Sequence, residues 1–116
     1  MDTVLVVDDD MLVCFDLAQR LENEGYNVLT AANADKAIAI LERRDDIRTI
    51  FTDIDMPGSM DGLKLAAAVR DKWPPVNIIV TTGMTAPPRE ALPRGSMFIP
   101  KPYRHRQVLE ALRALA

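Results

Sequence analysis

Apolar residues gather in five short runs, at residues 4–7, 27–31, 49–52, 78–81 and 97–99. Each has the length of a strand, and most carry β-branched side chains. They read as nearly continuous apolar segments, the pattern of parallel strands covered on both faces. Between them the spacing changes to i, i+3, i+4, i+7. Cys14, Leu17, Ala18 and Leu21 form one helical stripe, with Gly25 as its stop. Ala34, Ala37, Ile38 and Leu41 form a second, with Asn33 as N-cap. Leu65, Ala66 and Val69 follow Asp61, another cap, and Pro74-Pro75 ends that helix. Val108, Leu109 and Leu112 make the last stripe.

Strand alternating with helix predicts βαβ units and a parallel sheet, and right-handed crossovers leave few topologies. The expected fold is a doubly wound, flavodoxin-like α/β domain spanning residues 1–116. Five parallel strands in order 2-1-3-4-5 and about five helices are expected. That order places the ligand crevice at the carboxyl ends of the first and third strands. One segment interrupts the alternation. Pro87, Pro88 and Pro93 lie between Gly83 and Gly95, so the fourth helix is expected to be short or irregular.

Composition adds exclusions. About half of the 116 residues are apolar and the net charge is −3, which leaves no basic footprint for nucleic acid. Arg104-His105-Arg106 is too short a cluster to change that. The single cysteine, Cys14, rules out an internal disulfide framework and sits on an apolar face as a small buried hydrophobe. No apolar run approaches membrane-spanning length and no signal peptide is visible, so the expected compartment is the cytoplasm.

The acids carry the chemistry. Asp8, Asp9 and Asp10 follow the first strand, and Asp53 follows the third. Asp10 reads as the cap of the first helix. In the 2-1-3-4-5 order the carboxylates of Asp8, Asp9 and Asp53 converge. Such crowding is unfavourable without a cation, and a hard divalent ion such as Mg²⁺ suits it. Thr81-Thr82-Gly83 closes the fourth strand and Pro100-Lys101-Pro102 the fifth. The Lys101 ammonium is placed to pair with an acid or a phosphate.

These segments together resemble the receiver domain of two-component response regulators. The carriers are Val4-Leu5-Val6-Val7-Asp8-Asp9-Asp10, the stretch from Thr52-Asp53-Ile54-Asp55-Met56-Pro57 to Asp61-Gly62, Thr81-Thr82-Gly83, and Phe98-Ile99-Pro100-Lys101-Pro102-Tyr103. The resemblance implies a phosphorylation switch with Asp53 as phosphoacceptor. It implies Asp8 and Asp9 as Mg²⁺ ligands beside Asp53, with the backbone carbonyl of Asp55 as a further ligand. Lys101 then pairs with the acceptor and its phosphate, and the Lys101–Pro102 bond is expected to be cis. The switch hydroxyl falls at Thr82, with Thr81 as the alternative. The stretch Gly58-Ser59-Met60 is one residue longer than the family's common form. Phe98 takes the place of the switch aromatic, without a hydroxyl, or serves as core packing. Tyr103 is expected to pack at the start of the last helix.

The implied partners are a sensor histidine kinase or histidine phosphotransfer protein and a downstream protein, with homodimerisation open. No separate substrate turnover is expected. Two other readings compete. Asp53-Ile54-Asp55 also fits the Asp-x-Asp pair of haloacid-dehalogenase-like phosphatases, although there the motif comes early in a larger chain. A receiver-like module that no longer uses phosphate is the other, kept open by the proline-rich segment.

Overall fold

The structure, a computed structural model, describes residues 2–58 and 60–116. Ser59, the extra residue of the Gly58-Ser59-Met60 stretch, lies outside the described residues. Five parallel strands form one sheet in the order β2-β1-β3-β4-β5, as the alternating pattern predicts. They are β1 (Thr3–Val7), β2 (Asn27–Ala31), β3 (Ile47–Asp53), β4 (Asn77–Thr82) and β5 (Met97–Pro100). The described residues hold α1 (Met11–Asn23), α2 (Ala34–Arg43) and α3 (Gly62–Lys72) between strands and α4 (His105–Leu115) after the last one.

Period-2 alternation on the strands divides the core in two. Leu5, Val7, Ile50, Ile78 and Val80 pack against Ala37 and Leu41 of α2 and Leu65 and Val69 of α3. Val4, Val6, Phe51, Ile79 and Ile99 pack against Cys14, Leu17 and Leu21 of α1 and Val108 and Leu112 of α4. The expected caps hold. Asp10 accepts from the N–H groups of Leu12 and Val13, Asn33 from Lys36 and Asp61 from Lys64. Gly25 takes φ 99° just beyond α1, a left-handed conformation that favours glycine.

Between β4 and β5 the described residues hold one 3₁₀ turn at Arg89–Ala91, which bears out the short or irregular fourth helix expected from the prolines. Pro87, Pro88 and Pro93 remove three backbone donors from that stretch, which leaves no ladder for a longer helix. One expectation needs correction: Asp53 does not follow β3 but ends it, in register with Thr81 of β4. The parallel ladder runs past the apolar residues, and Ile54 N–H still donates to the Thr81 carbonyl at 2.8 Å.

The start of α3 lies directly on the backbone of that strand end. Gly62 N–H donates to the Ile54 carbonyl at 2.9 Å. A Cβ at residue 62 would stand 2.0 Å from the Asp53 carbonyl oxygen and 2.6 Å from the Ile54 Cα. Only glycine permits this approach. Both obstructing atoms are backbone, so no rotamer change relieves the clash. Gly62→Ala is therefore expected to destabilise the fold by about 3 kcal/mol, the upper part of the overpacking range. The check is a lowered midpoint in urea unfolding followed by circular dichroism.

Candidate functional site

Four strand ends meet at the carboxyl edge of the sheet. Asp8 follows β1, Asp53 ends β3, Thr82 ends β4 and Lys101 follows β5. Asp8, Asp53 and Thr82 are buried and Asp9 is exposed. Carboxylate oxygens of Asp8, Asp9 and Asp53 lie within 4.8 Å of one another. The convergence expected from strand order is present.

Lys101 answers this cluster. Its Nζ donates to Asp53 Oδ2 at 2.9 Å and stands 3.6 Å from Asp8 Oδ2. The Lys101–Pro102 peptide is cis, as expected. Gly83 opposes the Lys101 stem, where a Cβ would lie 3.8 Å from Cδ. Burial works against the charge on Lys101, but the Asp53 hydrogen bond and the charges of Asp8 and Asp53 outweigh it. Its pKa ends above the ordinary value.

The Asp53 carboxylate is held from two sides. Oδ2 takes the lysine, and Oδ1 accepts the Asp55 N–H at 3.1 Å. Asp8 is tied by the Asp10 N–H at 2.9 Å. Burial raises the Asp8 pKa above 3.8, and the charges of Asp53 and Asp9 add to that. The Asp10 N–H and Lys101 oppose the rise without cancelling it.

The two threonines differ sharply. Thr82 donates its hydroxyl to Asp55 Oδ2 and accepts the Met84 N–H at 3.0 Å. Thr81 is fully buried, and its hydroxyl finds no partner among the described residues. Thr82 shares a sheet face with Val80 and, through the Val80–Phe98 register, with Phe98. Phe98 is half-buried against the α2–α3 core. It also lines a surface cavity of about 580 Å³ with Leu92, Pro93 and the exposed Arg89 and Arg94.

Tyr103 packs edge-on against Phe51, with ring centres 5.4 Å apart. Burial, then the charges of Asp8 and Asp53, push its hydroxyl up to about 12, so it is a neutral packing group. Cys14 is buried as expected. Burial, then the Asp8 charge, push its thiol up to about 11, and its Sγ lies 3.7 Å from the Val6 carbonyl.

Two features escaped the sequence reading. One is Gly62, pressed against the Asp53 backbone. The other is the Asp55 side chain, of which only the carbonyl was expected to matter. Glycine directly after a capping aspartate was the available signal for the first. Nothing in the sequence signalled the second, because it depends on a side-chain contact across 27 residues.

The response regulator receiver domain model matches residues 4–113 of the chain. The chain belongs to this family. It is 40% identical over 83 residues to the hydrogenase transcriptional regulatory protein HoxA of Cupriavidus necator, a match covering 72% of this chain and 17% of that protein. The chain thus spans less than a fifth of that curated relative. A CheY-like receiver domain protein of Methanospirillum hungatei superposes with TM-score 0.87 at 30% identity, covering 98% of this chain and 92% of that one. Response regulator TrrA of Thermotoga maritima, solved in complex with Mg(2+)-BeF, gives TM-score 0.87 at 27% identity over the full length of both chains. The oxygen-only donor set of Asp8, Asp9 and Asp53 is consistent with a hard divalent cation. Among the described residues, no helix is long and apolar enough to cross a membrane.

The raised Asp8 pKa has a definite sign. Between 3.8 and its folded value the native state holds more protons than the unfolded chain. Stability therefore falls as pH rises through that window. In metal-free buffer at pH 7, Asp8→Asn is expected to unfold at higher urea than the wild type. That advantage should shrink once the pH drops below 4, which parallel urea titrations at the two pH values check.

Proposed function

We propose that the domain is a phosphorylation-dependent signalling switch whose phosphoacceptor is Asp53. The observation that carries this reading is the Asp53 carboxylate, buried, paired with Lys101 at 2.9 Å, and ringed by Asp8 and Asp9. A sensor histidine kinase or histidine phosphotransfer protein supplies the phosphoryl group. One Asp53 oxygen attacks phosphorus in line, an O–P bond forms, and the P–N bond to the donor histidine breaks with its electron pair returning to the imidazole. Asp8, Asp9, Asp53 and the Asp55 carbonyl would hold Mg²⁺, which when bound would neutralise charge on the phosphoryl oxygens.

Lys101 pairs first with the carboxylate and then with a phosphoryl oxygen, so its charge stays compensated throughout. Thr82 is the switch hydroxyl. Its hydroxyl already engages a carboxylate two residues from Asp53, whereas that of Thr81 is sealed, and Thr82 shares its sheet face with Phe98. Attack of water on the acyl phosphate releases inorganic phosphate and restores Asp53, so no separate substrate is turned over. The new contacts exist only with phosphate present, which is what shifts the population between two states. An unknown downstream protein reads the result, and a cytoplasmic setting follows from the kinase partner. The phosphatase reading gains nothing from Asp55, whose carboxylate is engaged by Thr82.

Incubation with acetyl phosphate and Mg²⁺, followed by intact mass, tests the assignment. Wild type should gain one phosphoryl group and Asp53→Asn none. Equal uptake by the two proteins would defeat the proposal.

A further inference from the structure

We infer that the Asp55 side chain is a positioning residue that holds the switch hydroxyl away from Asp53 in the resting protein. The inference rests on the phosphoacceptor reading above. Residue 55 does two things at once. Its N–H donates to Asp53 Oδ1 at 3.1 Å, and its carboxylate accepts the Thr82 hydroxyl. Thr82 is buried, yet Asp55 is exposed, so the carboxylate turns back from solvent onto the strand end. The hydroxyl has a single proton to give. While Asp55 Oδ2 takes it, no phosphoryl oxygen on Asp53 can. The Met84 N–H donates to Thr82 Oγ1 at 3.0 Å, which leaves the hydroxyl proton to the carboxylate.

Thr82 therefore chooses between two acceptors two residues apart. In the resting protein the choice is a carboxylate, and a hydroxyl bonded to an ionised acceptor is held more firmly than one bonded to a neutral group. Phosphorylation has to offer an oxygen that competes with it. Asp55 thereby sets the fraction of molecules in the active arrangement at a given occupancy of Asp53, and that fraction scales the apparent affinity of any ligand selecting the active state. The negative charge of Asp55 also stands close to where the phosphate forms, so removing it has a second, purely electrostatic effect. The two effects are separable, because only the first requires the Thr82 hydroxyl.

A double-mutant cycle in beryllofluoride, with saturating Mg²⁺ and amide chemical shifts as readout, makes that separation. Asp55→Ala is expected to tighten beryllofluoride binding about tenfold more in the Thr82 background than in Thr82→Val. Equal tightening in both backgrounds would assign the whole effect to charge and overturn the latch. A second measurement needs no phosphate analogue. Three-bond couplings should report one Thr82 χ1 rotamer in the free wild type and averaging in free Asp55→Ala. Unchanged couplings would also overturn the inference. A wild type that does not respond to beryllofluoride counts against Asp53 as acceptor, and the couplings still decide the role of Asp55.

Discussion

The pairing of one ammonium with several carboxylates governs this site. Asp8 and Asp53 are both buried at the end of the sheet, with Asp9 close by. Left alone, such a cluster would neutralise by taking up protons or push its strand ends apart. Lys101 prevents this by reaching over the edge of β4 to stand 2.9 Å from Asp53 and 3.6 Å from Asp8. The compensation is incomplete, since three negative groups face one positive group, and the pKa of Asp8 stays raised, first by burial and then by the charges of Asp53 and Asp9. A site with surplus negative charge and oxygen donors is one that a divalent cation stabilises. The same imbalance that costs the resting fold stability prepares the crevice for a metal and a phosphoryl group.

Topology places these charges, and packing sharpens their positions. Parallel order brings the ends of β1 and β3 side by side. The close seat of Gly62 on the Asp53 backbone then packs α3 directly against that strand end. Its N–H to the Ile54 carbonyl and the Asp55 N–H to Asp53 Oδ1 belong to the same tight turn region. Two backbone donors and one side-chain donor thus define the acceptor geometry before any ligand arrives, the preorganisation that phosphoryl transfer relies on.

The hydrophobic periods in the sequence were enough for the fold, because each apolar run and each helical stripe has one consistent role. Strand order then followed from the alternation, and with it the meeting of Asp8, Asp9, Asp53 and Lys101. What stayed hidden was local. The end of β3 moved out to Asp53 because ladder hydrogen bonds continue after the apolar residues stop. The β4–β5 connection, by contrast, was legible, because Pro87, Pro88 and Pro93 remove the donors a helix there would need. The different surroundings of Thr81 and Thr82 were hidden too, because successive strand residues point to opposite faces and only the Thr82 hydroxyl finds a partner among the described residues.

Strand parity also explains how a hydroxyl at the crevice can be felt at a distance. Thr82, Val80 and Phe98 lie on one face of the sheet, and Phe98 reaches the cavity bounded by Leu92, Pro93, Arg89 and Arg94. In the proposed switch, a shift of Thr82 toward Asp53 would act on that face, where Phe98 is only half-buried. The adjoining segment is pinned by prolines and a single 3₁₀ turn, not by a helical ladder. Fewer internal hydrogen bonds hold such a segment, so a smaller change in local contacts suffices to repack it. The proposed control of the Thr82 hydroxyl by Asp55 and the proposed readout next to Phe98 would then be two ends of one short path along β4.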